Sequence, residues 1–86
     1  MSLELLDARP TAEGMAITFG TERGVQRLVG TSEEVARLAR AMQQVALLGQ
    51  LNEHESVWLD TVAVGDSLVK LGLLPGGQTR VLITRR

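Results

Sequence analysis

The sequence predicts an α+β domain in which one long amphipathic helix packs on an antiparallel sheet of 4–5 strands. Three observations carry that reading. A capping box precedes a helical apolar stripe in the middle of the chain, apolar residues alternate near its start, and glycine-containing breaks separate β-forming runs at both ends. No linker, repeat or low-complexity tract interrupts the chain, so residues 1–86 are read as a single domain.

The first two strands are expected at 3–9 and 14–20, joined by Pro10-Thr11-Ala12-Glu13-Gly14. Proline cannot continue a helix, and glycine accepts the positive φ of a turn. Leu3 and Leu5 alternate with Ser2 and Glu4, and Met15, Ile17 and Phe19 with Ala16 and Thr18, the pattern of half-buried strands. A second break, Gly20-Thr21-Glu22-Arg23-Gly24, leads into a third strand over Val25-Gln26-Arg27-Leu28-Val29 that ends at Gly30. These elements form an antiparallel meander.

The helix is predicted over about 32–48. Thr31 and Glu34 have capping-box spacing, and Gly49 stands where a left-handed cap would end the helix. Val35, Leu38, Ala39, Met42, Val45 and Ala46 follow the three-and-four spacing of a buried face, opposite Glu33, Arg37, Arg40, Gln43 and Gln44. Such a helix lies across the sheet.

Residues 52–72 admit two architectures. Val57, Trp58, Thr61, Val62 and Val64 are β-formers and favour a strand over about 56–64. On a helical wheel, however, Val57, Thr61, Val64, Leu68 and Leu71 gather with Trp58, Val62 and Val69, and Asn52 with Glu55 could cap that helix. Gly65 opposes it by about 1 kcal/mol relative to alanine. The alternative fold is therefore a three-strand meander, two helices at 32–48 and 53–71, and a C-terminal strand. Past the Pro75-Gly76-Gly77-Gln78 turn, Thr79–Arg85 reads as a strand with Val81 and Ile83 on one face and Arg80, Leu82 and Thr84 on the other.

The stretch from Gly65 to Ile83, with Asp66-Ser67-Leu68-Val69-Lys70-Leu71-Gly72-Leu73 at its start, resembles the closing portion of ubiquitin-like β-grasp domains. The resemblance implies a short helical turn in that run, a glycine-containing bend and a last strand, with residues 15–86 covered and the first strand an addition. Conjugated and sulfur-carrying members end in a free Gly-Gly, whereas this chain ends in Arg85-Arg86. The likeness thus implies a β-grasp-like interaction domain that is not conjugated. It transfers no binding residues, because the matched positions are core and turn positions.

Composition excludes more than it assigns. With no cysteine and a single histidine, the chain has no disulfide framework, thiolate nucleophile, iron–sulfur cluster or cysteine- or histidine-rich metal site. No cofactor is expected. The start, Met1-Ser2-Leu3-Glu4-Leu5-Leu6-Asp7, is unlike a signal peptide and no apolar run spans a bilayer, so a cytoplasmic protein without membrane contact is expected. Lys70 is the only lysine among nine basic residues, a bias suggestive of a GC-rich bacterial genome.

Candidate site residues each have a plain structural explanation. His54, between Glu53 and Glu55, suits a weak metal site but is expected to be a solvated loop residue. Trp58 could anchor a partner, yet among valines and leucines it is expected in the core. Met15 and Met42 could form an adaptable groove, but their periodicity places them in the core first. Ser32, Ser56 and Ser67 have only His54 as a base and read as caps or turns, and Asp60 with Asp66 has little walled volume to work in. The Gly72–Gly77 run lacks the Gly-Lys-Ser/Thr of a P-loop.

Nucleic-acid binding would use Arg23, Arg27, Arg80, Arg85 and Arg86 gathered on one sheet edge. A net charge of -1 and 2% aromatic residues argue against it, since backbone-neutralising charge and stacking platforms are both scarce. The reading that remains is a non-catalytic protein–protein interaction module or homo-oligomer, such as a homodimer or an accessory subunit of a larger complex. No small-molecule substrate is implied. An arginine-mediated nucleic-acid binder is the alternative.

Overall fold

The computed structural model describes residues 3–86. Its elements are β1 (Glu4–Thr11), β2 (Gly14–Thr21), β3 (Gly24–Gly30), α1 (Ser32–Leu51), β4 (Val57–Val64), β5 (Ser67–Leu74) and β6 (Gln78–Arg85). The strands form two antiparallel three-stranded meanders, β1-β2-β3 and β4-β5-β6, with the helix between them in sequence. The α+β class and the single long helix agree with the sequence reading. The single sheet of 4–5 strands does not: β3 and β4 are separated by the whole of α1 and do not pair, so six strands divide into two sheets.

Residues 53–71 hold no second helix. They form β4 and most of β5, and the connection turns at Gly65, whose φ of +57 no helix interior permits. Strand geometry turns Val62, Val64, Val69, Leu71 and Leu73 to the core and leaves Trp58 and Thr61 exposed on the other face. The run from Ser67 to Leu73, where the β-grasp resemblance implied a helical turn, is likewise strand. Asn52 and Glu55 do form the expected bond, Glu55 N–H to Asn52 Oδ1 at 3.2 Å, but it closes a loop instead of starting a helix.

The helix begins as read. Thr31 Oγ1 accepts from the Glu34 amide at 3.1 Å and Glu34 Oε1 accepts from the Thr31 amide at 2.9 Å. Its end lies three residues beyond the expected one. Gly49 is a buried helical residue with no positive φ, and a β-carbon there would stand 3.1 Å from Thr79 Cγ2. Glycine therefore serves close helix–sheet approach, and Asn52 caps the helix with its amide on the Gly49 carbonyl.

Val35, Leu38, Ala41, Met42 and Val45 meet Ile17 and Phe19 of β2 and the inner faces of β4 and β5 in one core. Met15 packs on it half-buried. The one buried polar residue among those described, Thr79, accepts the Leu3 amide at 3.0 Å and so ties the start of β1 to β6. Leu3 is buried as its alternation predicts, but Leu5 is exposed; Ser2 lies outside the described residues.

The first strand of each meander carries a bulge. Register shifts between Leu5 and Asp7 and again between Trp58 and Asp60, which leaves Leu6 and Leu59 unpaired and exposed. Bulges twist an edge strand and blunt open-ended pairing.

The sheets meet where Gly30 approaches Val64 and Gly65, and Glu34 closes that seam. Its Oε1 also accepts the Gly65 amide, at 3.2 Å, while Arg86 Nη1 donates to the Gly65 carbonyl at 3.1 Å. The Thr31 amide first, then the Gly65 amide and the Arg86 charge, hold the Glu34 carboxyl below the ordinary value of 4.5, against partial burial that raises it. A carboxyl whose pKa is depressed by folding stabilises the fold above its unfolded pKa and loses that contribution as pH falls through the folded one. Glu34→Gln is therefore expected to lower the thermal midpoint at neutral pH, with the gap to the wild type narrowing as pH drops below about 4.5. Melting curves followed by circular dichroism across that range test it, and a gap independent of pH would contradict it.

Candidate interaction surfaces

Four of the nine exposed large hydrophobic residues among those described, Leu47, Leu48, Leu51 and Leu59, fall on the end of α1 and the start of β4, which makes this the principal apolar surface. Leu51 is 76% exposed. These positions follow from helix geometry: the inward stripe is served by Val35, Leu38, Met42, Val45 and Gly49, so residues 47, 48 and 51 flank it. Between the helix end and β4 lies an open groove of about 530 Å3, lined by Leu48, Leu51, Val57, Leu59 and Leu73 and bordered by Asn52, Glu53, His54 and Glu55.

The loop along this groove is held firmly. Asn52 Nδ2 donates to the carbonyls of Glu55 at 2.8 Å and Leu74 at 3.0 Å, and the Gly76 and Gly77 amides donate to the Glu53 and Asn52 carbonyls. The glycines after Leu74 thus spend amides on the neighbouring loop, which is incompatible with cradling a phosphate. His54 stands in solvent on this loop, its Nε2 3.5 Å from Glu53 Oε2. Among the described residues no three His, Asp or Glu side chains converge as metal ligands would.

Trp58 is the residue most displaced from its expected place. It is 37% exposed on the outer face of the second sheet, because β4 turns half-buried Val57 and buried Val62 and Val64 to the other side. Its indole lies across Gly72, where a β-carbon would sit 2.9 Å from Trp58 Cε3 and 2.5 Å from the Val57 carbonyl oxygen. The Arg80 guanidinium stacks over the ring with its carbon 3.8 Å from the centroid, and Lys70 Nζ is 5.5 Å from it. Row pairing explains the cluster, since Trp58, Gly72 and Arg80 stand opposite one another on β4, β5 and β6.

The remaining candidates are dispersed. Arg27 lies on β3, Arg80 on β6, and Arg23 in the β2–β3 turn, while Arg86 is tied to Gly65, so the arginines span two sheets instead of lining one edge. Ser32 is the first helical residue after the Thr31 cap, and Ser67 is the first residue of β5. Asp60 Oδ1 accepts from the adjacent Thr61 amide at 2.8 Å, and Asp66 lies in the turn beyond β4, too far along the strand to share a proton with it. Met42 is buried.

No helix among the described residues is long and apolar enough to cross a membrane. Comparison with protein-family models, with curated proteins and with solved structures finds no match. The surfaces themselves are the guide to function.

Proposed function

We propose that the chain is a non-catalytic protein–protein interaction module that associates with a second copy of itself through the leucine surface at the end of α1 and the start of β4. The observation that carries this reading is the concentration of exposed leucines around one groove, held in place by a loop whose backbone is pinned to the β5–β6 turn. Contiguous apolar surface of this kind mark association sites in soluble domains. A second copy suits it because the groove's centre is uncharged and Glu53 and Glu55 stand at its border, so a two-fold contact can bury leucine on leucine with the acids left in water. An 86-residue chain also has a small core and gains from burial against a partner.

The test is the oligomeric state. The wild-type protein is expected to be a dimer at micromolar concentration in analytical ultracentrifugation. Leu48→Glu with Leu51→Glu is expected to weaken the dimer at least about a hundredfold, because each copy forfeits two buried leucines and each 1.4 kcal/mol is tenfold. Both residues are exposed, so the circular dichroism spectrum should be retained. A wild-type monomer at high micromolar concentration, or a variant as dimeric as the wild type, overturns the reading.

A further inference from the structure

We infer that the outer face of the β4-β5-β6 sheet is a docking surface for an acidic protein segment, recognised by Lys70 and Arg80 on the Trp58 platform. This rests on the reading of the chain as an interaction module but uses a surface other than the leucine groove.

Two cations stand on this face and neither is paired. Among the described residues the ion pairs are Arg9–Asp7 and His54–Glu53, and the buried Nε of Arg80 has no hydrogen-bond partner. Register places Thr61 and Leu82 beside Lys70, and Leu68 and Thr84 in the next row, so the face carries no acid.

The bulge at Leu59 is the reason. Continuing the Trp58–Gly72 register without it would set Asp60 opposite Lys70, a cross-strand ion pair that would neutralise the surface. The extra residue instead pairs Asp60 with Leu71, whose side chain faces the core side, and brings Thr61 opposite Lys70. Positive charge is thereby kept unspent beside exposed Trp58 and Leu82.

Charge complementarity selects carboxylates or phosphates, and the indole decides between their sources. The indole lies across Gly72 and the Arg80 guanidinium is already stacked on its ring at 3.8 Å, so a nucleobase would compete with that arginine for the ring, which favours a carboxylate-bearing protein segment. Arginine stacked on tryptophan is held with its donors in plane, which lowers the ordering cost of binding a carboxylate. Leu82 and Leu68 supply apolar contact for the side chains between the acids of such a segment.

The full chain is titrated at low salt with a fluorescein-labelled glutamate-rich peptide carrying scattered leucines, with its lysine-for-glutamate counterpart, and with an oligothymidylate of equal length. The glutamate peptide is expected to bind, and added salt to weaken it. Lys70→Gln and Thr61→Glu are each expected to reduce affinity about tenfold, the second by supplying the carboxylate that the bulge removes. Both positions are exposed, and Thr61→Glu adds a favourable cross-strand pair, so the fold is retained. Absence of glutamate-peptide binding, equal binding of the lysine peptide, or wild-type affinity in Thr61→Glu overturns the inference. Tighter binding of the oligothymidylate, lost in Thr61→Glu, assigns the face to nucleic acid instead. Repeating the titration with the Leu48→Glu, Leu51→Glu protein, its oligomeric state measured in the same samples, separates failure of this surface from failure of self-association.

Discussion

Replacing Phe19 by alanine is expected to lower the unfolding free energy by about 3–5 kcal/mol. Phe19 is the chain's only phenylalanine and is fully buried, pointing from β2 into the core where the helix meets both sheets. Removing the ring leaves a cavity that β2 cannot close, because its backbone is hydrogen-bonded on both sides to β1 and β3. A domain of this length holds roughly 4–13 kcal/mol in total, so the variant should be near the limit of folding. Urea unfolding at fixed protein concentration, followed by circular dichroism and by the fluorescence of the single tryptophan, measures the loss. A cost below about 1 kcal/mol would mean that Phe19 does not fill the core.

The second large effect is expected at Gly65. Its φ of +57 already disfavours a side chain by about 1–2 kcal/mol. A β-carbon there would also stand 2.3 Å from the Val29 carbonyl oxygen, a backbone atom that cannot swing aside. Gly65→Ala must open the seam between the meanders and strain the Glu34 and Arg86 hydrogen bonds that close it. The combined cost is about 2–5 kcal/mol when overpacking is added to the backbone term. Gly76 provides the control, since its φ of +82 is comparable but no atom lies within 4 Å of the added carbon. Gly76→Ala should therefore cost only the backbone term. Equal losses in the two variants would show that the seam contributes nothing.

Both effects depend on contacts between residues distant in the chain, whereas the features readable from sequence were local ones. The Thr31–Glu34 capping box needs only four consecutive residues, and it forms as read. The three N-terminal strands, the helix face and the last strand follow from periodicity and turn chemistry, which are properties of short windows. Residues 53–71 resisted because their apolar positions satisfy both a helical and a strand pattern. Only pairing of β4 with β5, and of β5 with β6, decided the matter. Division into two sheets is likewise invisible locally, since nothing in β3 or β4 alone says whether they pair.

The same distinction governs the candidate surfaces. Leu47, Leu48 and Leu51 depart from the core stripe of the helix, a signal present in the sequence once the helix is carried past Gly49. The groove that Leu48 and Leu51 border exists because β4 returns beside the helix end, which the sequence does not state. Trp58 was expected in the core because its neighbours are apolar. It lies outside because strand alternation gives the interior to Val57 and Val62, and because Gly72 and Arg80, distant along the chain, offer it a bed and a cover. Composition and short-range pattern thus sufficed for one helix, capped and flanked by strands, in a chain with no cysteine and one histidine. Sheet partition, the bulge that turns Asp60 away from Lys70 and the surfaces left uncovered were decided by tertiary structure, because each is an outcome of register between strands and not of any residue's own propensity.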